Sequence, residues 1–348
     1  MTAFSLTPAR RLRGFTLPEL MVAIAIGMLI LAGMTTLFVR NSRAQAEIEK
    51  ANRQIENGRF AIDLMTTDLR NAGFYGEFDP TELPSPPGPP DPCAVMSAAL
   101  ITALPLHVQG FGAAEATPGC LQDRRANTDV LVVRHTRTCV AGASDCQEDV
   151  SGPLFQASLC NNLSELDSAD PLTYFRLDTN SASLDRHKRD CTTLADSRRY
   201  ETHIYFVANN DNPNDGIPTL KRAELRLRAD GSMEFVTVAL AEGIENMHLE
   251  YGLDTNSDGQ PDLYTAAPAA ANGCLDPGAA CAAVNWRTVM SVRINLLARN
   301  TEATVGYTDK RSYVLGTGNV VAAANDSYKR HVFQTLVPLP NPIGRKQS

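Results

Sequence analysis

A chain of 348 residues with 43% hydrophobic side chains carries enough apolar matter for a folded core, as one large domain or two small ones. Its 39 acidic against 32 basic residues leave a formal charge of -7 and a sequence pI near 5.4, which argues against non-specific nucleic-acid binding. The eight cysteines all lie beyond residue 92, and none forms the Cys-x-x-Cys clusters of a zinc site.

Arg10-Arg11-Leu12-Arg13-Gly14 and Phe15-Thr16-Leu17-Pro18-Glu19 precede an uncharged, mostly apolar run from Leu20 to Val39. Roughly 20 such residues cross a bilayer as a helix. The arginines ahead of them predict a cytoplasmic amino end with the remainder outside. Glu19 is the anomaly, because an acid at mid-membrane costs on the order of 2.5–3.5 kcal/mol and is expected to have a purpose. Pro18 falls in the first turn, where a missing N–H costs nothing. A secretory signal or a plain anchor accounts for the arginines and the length. It leaves Gly-Phe-Thr-Leu-Pro-Glu unexplained, and Leu31-Ala32-Gly33 is a poor small-residue cleavage site.

The arrangement resembles the leader of type IV prepilins and pseudopilins. That resemblance implies cleavage by prepilin peptidase after Gly14 and N-methylation of the new terminus, Phe15. It also gives Glu19 a docking role, as the carboxylate that neutralises a terminal amine, its own or a neighbour's, in the lipid. Loss of residues 1–14 removes three arginines and no acid, moving the charge from -7 to -10. Export makes disulfides the default state of the cysteines.

Beyond the apolar run, Ile48, Ile55, Ile62 and Leu69 repeat every seven residues, with Ala51, Gly58, Met65 and Ala72 three positions later. The spacing predicts one helix from Phe15 to about Ala72, roughly 85–90 Å long at 1.5 Å per residue. Charged residues, Asp68 among them, fall mostly off that seam. Its second half is expected to pack on the protein's own head, since small Ala and Gly disfavour a self-associating coiled coil. Gly27, Gly33 and Gly58 are weak points for a bend, and Gly73 is a plausible stop.

Glu56-Asn57-Gly58-Arg59-Phe60-Ala61 and Asp68-Leu69-Arg70-Asn71-Ala72-Gly73-Phe74-Tyr75-Gly76 resemble the helix end of PilW-type minor pilins. Thr128-Asp129-Val130-Leu131-Val132-Val133-Arg134, Leu240-Ala241-Glu242-Gly243-Ile244-Glu245-Asn246-Met247 and Tyr251-Gly252-Leu253-Asp254 extend the resemblance; residues 79–128 and 137–198 lie outside it.

Seven prolines between Asp79 and Cys93 predict a stiff, extended segment. Past it, 129–135, 200–207, 219–227, 233–240, 247–252, 289–297 and 330–337 read as short strands separated by Asn, Asp, Gly and Pro clusters. One long helix followed by hairpin-connected strands is an α+β fold with a mainly antiparallel sheet, the pilin-like arrangement. The plan is a leader over 1–14, a transmembrane part of the helix over 15–40, and an amphipathic part over 41–76. A Pro-rich linker over 77–92 and a disulfide-stapled β-rich head over 93–348 complete it.

Eight cysteines allow 105 pairings. Sequential pairing, a guess about proximity, joins Cys93 with Cys120, Cys139 with Cys146, Cys160 with Cys191, and Cys274 with Cys281, the second and fourth each closing a short loop. Asp254-Thr-Asn256-Ser-Asp258-Gly259-Gln260-Pro-Asp262 matches the first nine positions of a calcium loop, with the Gln260 carbonyl at position 7. Thr265 stands where an EF-hand places a bidentate Glu, and a hairpin turn of self-satisfied Asp and Asn is the competing reading. Gly110-Phe111-Gly112 reads as a turn. The histidines at 107, 135, 187, 203, 248 and 331 are scattered, and no His-Glu-x-x-His, Gly-x-Ser-x-Gly or phosphate loop occurs, so no enzyme is expected. No cofactor is required, calcium being the one ion with a motif.

The resemblance implies a minor pilin, held in the inner membrane with a periplasmic head before entering a type IV pilus at the cell surface. Its partners would be prepilin peptidase, other minor pilins and the major pilin, in a complex that primes the fibre and caps its tip. Two alternatives stand beside it: a GspJ-like minor pseudopilin of type II secretion, and a tip adhesin or binding module.

Overall fold

The computed structural model describes residues 14, 16–146, 152–167 and 169–346. Helix α1 (Leu17–Asn71) has 55 residues and includes Gly27, Gly33 and Gly58. Contacts divide the chain at Ala51/Asn52. In the first unit every residue from Leu20 to Phe38 is exposed or nearly so, and the apolar window long enough to cross a membrane is unburied.

The second unit is built on two antiparallel sheets. The larger contains β1 (Val108–Phe111), β2 (Val130–Thr136), β3 (Leu154–Ala157), β4 (Phe175–Asp178), β5 (Ser197–Ala208), β6 (Thr219–Leu227) and β7 (Met233–Glu242). Strand β5 is its spine: Tyr200–Phe206 pair with β2, Ser197–Arg199 with β3 and His203–Ala208 with β6. The smaller sheet orders β13 (Arg330–Pro338), β10 (Val289–Arg299), β8 (Ile244–Leu253) and β9 (Leu263–Thr265). A small hairpin, β11 (Tyr313–Val314) with β12 (Val320–Val321), and the short helices α2 (Ser97–Ala103), α3 (Ala280–Arg287) and α4 (Pro340–Lys346) complete the head.

The end of α1 forms part of the main core. Ala61, Met65, Leu69 and Ala72 pack with Leu131, Val133 and Tyr205 of the large sheet and with Met247, Leu249, Ile294 and Leu296 of the small one. Full burial of a Leu- or Met-sized side chain is worth roughly 1.5–3 kcal/mol, so this stripe holds the helix to both sheets. A second cluster gathers Tyr75, Phe78, Phe155, Phe175 and Tyr200 under the chain that leaves the helix. The helix stops where Gly73 takes φ +73° and donates its N–H to the Arg134 carbonyl at 2.9 Å.

Several expectations are corrected by packing. Gly110 and Phe111 are in a strand, not a turn, because a Cβ at Gly110 would collide with the Tyr251 hydroxyl that crosses it. Gly58 marks close approach, not bending: the Phe333 ring occupies the space a Cβ would need. Asp68 is on the buried stripe, because the stripe follows Gln54, Gly58, Ala61, Met65 and Leu69 while Ile48 and Ile55 stay exposed. The Pro-rich segment holds one 3-10 turn, Pro80–Glu82, capped by Asp79 Oδ1 accepting from Thr81 N–H at 2.9 Å. Cys281 lies in α3 rather than in a loop, with Ala282, Ala283 and Trp286 of that helix buried.

Candidate functional site

The amino-terminal end of α1 is built by local geometry. Thr16 is the N-cap of α1 and Glu19 its third residue; Glu19 Oε2 accepts from Thr16 N–H at 3.0 Å and from Thr16 Oγ1 at 2.8 Å. A carboxylate folded back on the N-cap amide is half of a capping box, and it also faces the positive end of the helix dipole. Pro18 sits at the second helical position, where no hydrogen bond is lost. Gly14 is exposed, while residues 1–13, with the arginines, and Phe15, the expected methylation position, lie outside the described residues. The sequence spacing singled out Glu19 but not its bond to Thr16, although Thr-x-x-Glu is itself a capping signature.

The helix-end strings are explained by contacts within the head. Gln54 Nε2 donates to the carbonyls of Ala298 and Lys329 at 2.7 and 3.0 Å, and Asn57 Nδ2 to that of Glu242 at 3.1 Å. Gly243 (φ +78°) makes the tight passage from β7 of the large sheet to β8 of the small one, and a Cβ there would meet the Arg299 carbonyl at 2.6 Å. Beyond that turn Glu245 binds the buried Arg330 through Oε2 at 2.5 Å and Oε1 at 3.1 Å, and Asn246 Nδ2 donates to the Asn127 carbonyl at 3.1 Å. Asp129 ties the same sheets together: its N–H donates to the Met247 carbonyl at 2.9 Å and its Oδ2 accepts from Leu249 N–H at 2.8 Å. Tyr251 stacks edge-on against Trp286, the lone tryptophan, with centroids 4.9 Å apart.

Two histidines that looked scattered meet under the helix. His135 on β2 and His203 on β5 both point at Asp68 of α1, with Asp68 Oδ1 2.7 Å from His135 Nε2 and both Asp68 oxygens 3.0 Å from His203 Nδ1. All three side chains are buried. Burial alone would raise the Asp68 pKa, but the charge of His203 and the hydrogen bonds from both imidazoles outweigh it, leaving the carboxyl well below its usual range. Asp68 falls on the buried stripe at helical spacing, which is the signal that could have found it.

The loop between β8 and β9 holds the calcium-like string. Buried Asp254 accepts Ser257 N–H at 2.6 Å and Gly259 N–H at 3.0 Å, while Asp258 Oδ1 accepts Gln260 N–H at 2.8 Å. Asp262 Oδ2 takes Thr255 N–H and hydroxyl, both at 2.9 Å, and Asn256 Nδ2 bridges Asp258 Oδ2 and Asp262 Oδ1 at 3.2 Å each. The disulfides of the head are Cys93–Cys120, Cys139–Cys146, Cys160–Cys191 and Cys274–Cys281.

Comparison with known families places both ends of this description. Residues 204–341, from within β5 to α4, match the family Type IV Pilus-assembly protein W, and residues 9–35 match the prokaryotic N-terminal methylation motif. No curated protein and no solved structure matches the chain. With a methylation motif at its amino end and a PilW match over part of its head, the chain is similar in these two regions to pilin-like proteins of the type IV pilus.

Proposed function

We propose that the protein is a minor pilin, a non-enzymatic subunit of the complex that primes a type IV pilus and caps its tip. Prepilin peptidase would cut after Gly14, Phe15 would be methylated, and the protein would wait in the inner membrane with its head in the periplasm. The carrying observation is Glu19, a carboxylate at the mouth of an apolar helix, held at 3.0 Å by its own N-cap amide. A group held by two hydrogen bonds to one residue can be passed to a terminal amine of a neighbouring subunit, trading a local cap for an ion pair in lipid. The PilW match supports a pilus over a type II secretion machine, and other minor pilins with the major pilin over a lone adhesin. A calcium ion in the Asp254–Asp262 loop belongs to the same reading: the carboxylates of Asp254, Asp258 and Asp262, the Asn256 side-chain oxygen and the Gln260 carbonyl would hold it.

The test is a complementation assay in cells. Glu19→Ala should be processed normally and fail to enter pili, and a bulky residue at Gly14 should leave uncut, membrane-held protein. Normal assembly of the Glu19 variant, or a mature product from the Gly14 variant still beginning at Phe15, would defeat the proposal.

A further inference from the structure

We propose that Asp68, His135 and His203 form a binding site for one zinc-like divalent metal ion, clasping the last turns of α1 to the large sheet. The two histidines stand on strands 67 and 135 residues away from Asp68 on the helix, and the three ligand atoms all lie within 4.8 Å of one another. Two imidazoles and a carboxylate are a donor set of zinc and its first-row neighbours.

With Asp68 as a carboxylate, the hydrogen bonds call for a second proton or a metal cation at this point. His135 Nδ1 lies 2.9 Å from the Thr136 carbonyl, which only accepts, and Nε2 lies 2.7 Å from Asp68, which as a carboxylate also only accepts. A neutral imidazole has one N–H, so either a second proton or a metal fills the Asp68 side. Among the described residues Asp68 has no Arg or Lys within ion-pair distance; its ionic partners there are the two histidines. A buried carboxylate so placed is costly unless a cation is supplied.

The surroundings match what a metal-bound imidazole needs. An Nδ1–H given to a backbone carbonyl fixes the tautomer that leaves Nε2 free to ligate. Glu201 stands behind both rings, with Oε2 3.9 Å from His135 Nδ1 and 4.0 Å from His203 Nε2, and Arg137 Nε holds its other oxygen at 2.7 Å. In a tetrahedron of roughly 2.0–2.1 Å bonds, donor atoms stand about 3.3 Å apart. The Asp68–His135 and Asp68–His203 separations of 2.7 and 3.0 Å therefore need a small spread, and the three donors, within 4.8 Å of one another, must settle to that common spacing to hold an ion. The fourth position falls to a water molecule.

The full chain in detergent, purified without a metal-affinity tag, should take up about one zinc per chain by elemental mass spectrometry. Cobalt should give the visible absorbance bands of a four-coordinate nitrogen–oxygen site, and zinc should raise the melting temperature above that in chelator. Asp68→Asn, which keeps shape and hydrogen bonding, and His203→Gln should lose the metal and melt alike with zinc or chelator. Asp258→Ala, in the calcium-like loop, should keep it. A wild-type chain that binds well under one zinc, with the same melting temperature in zinc and in chelator, would overturn the site and leave a proton as the bridging charge. Full zinc binding by Asp68→Asn would overturn the assignment of ligands.

Discussion

The two halves of α1 have opposite chemistries. From Leu20 to Val39 apolar residues cover all sides and none is buried, so that half has no preferred face within the chain. From Gln54 to Leu69 burial follows one stripe, and polar residues on that stripe, Gln54 and Asp68, have named partners. The first half is specified by a solvent, the bilayer; the second by individual atoms of the head. A helix that needs only a medium tolerates most apolar substitutions, whereas one that needs partners does not.

The sharpest test of that contrast exchanges the damage. Glu19→Ala should abolish pilus entry while leaving the melting of the head, followed by Trp286 fluorescence, unchanged. Gly58→Leu should do the reverse of this at the head, destabilising it by about 1–3 kcal/mol or more, because the side chain must displace the Phe333 ring. Gly33→Ala, with nothing within 4 Å of its Cβ, should not shift head melting at all. A head that tolerates Gly58→Leu as well as Gly33→Ala would erase the distinction.

Covalent links should act on the second region alone. Replacing Cys160 and Cys191, 31 residues apart, should cost the head about 2–4 kcal/mol, and replacing Cys274 and Cys281, 7 apart, somewhat less. Denaturant midpoints of the two double variants would read the order, and neither should alter membrane insertion.

Acid should also strike the head first. His107 is buried against the end of α1, its Nε2 2.6 Å from the Val289 carbonyl, and burial pushes its pKa down to about 4. The unfolded chain, with an ordinary histidine near 6.5, binds the proton more readily. Stability from this group is therefore complete above pH 6.5 and is lost as pH falls from 6.5 to 4, by on the order of 3 kcal/mol. Melting temperatures across that window should fall in wild type and fall less in His107→Gln. The smallest effect is reserved for calcium at Asp254–Asp262: millimolar calcium should raise melting by a few degrees over chelator in wild type and not in Asp258→Ala.

Much of this architecture was legible because it is periodic or local. A 3.6-residue repeat, strands such as Thr219–Leu227, the Gly73 stop and the prepilin string each depend on neighbours in sequence, and the structure places α1 at Leu17–Asn71. Short elements escaped: β3 and β4 span only Leu154–Ala157 and Phe175–Asp178, too few residues for alternation to register. Gly110 looked like a turn because its reason for being glycine, the Tyr251 hydroxyl, lies 141 positions away.

The sequence by itself determined that a membrane-length helix leads into an α+β head, since hydrophobic length, helix capping and strand alternation are short-range physics. Only the tertiary structure decided what the polar residues of that helix are for. Asp68 is a surface acid by its composition and a buried hub by its position. Its meaning depends on β2 and β5 bringing two histidines to within 3.0 Å, and no local pattern encodes a meeting of three distant segments.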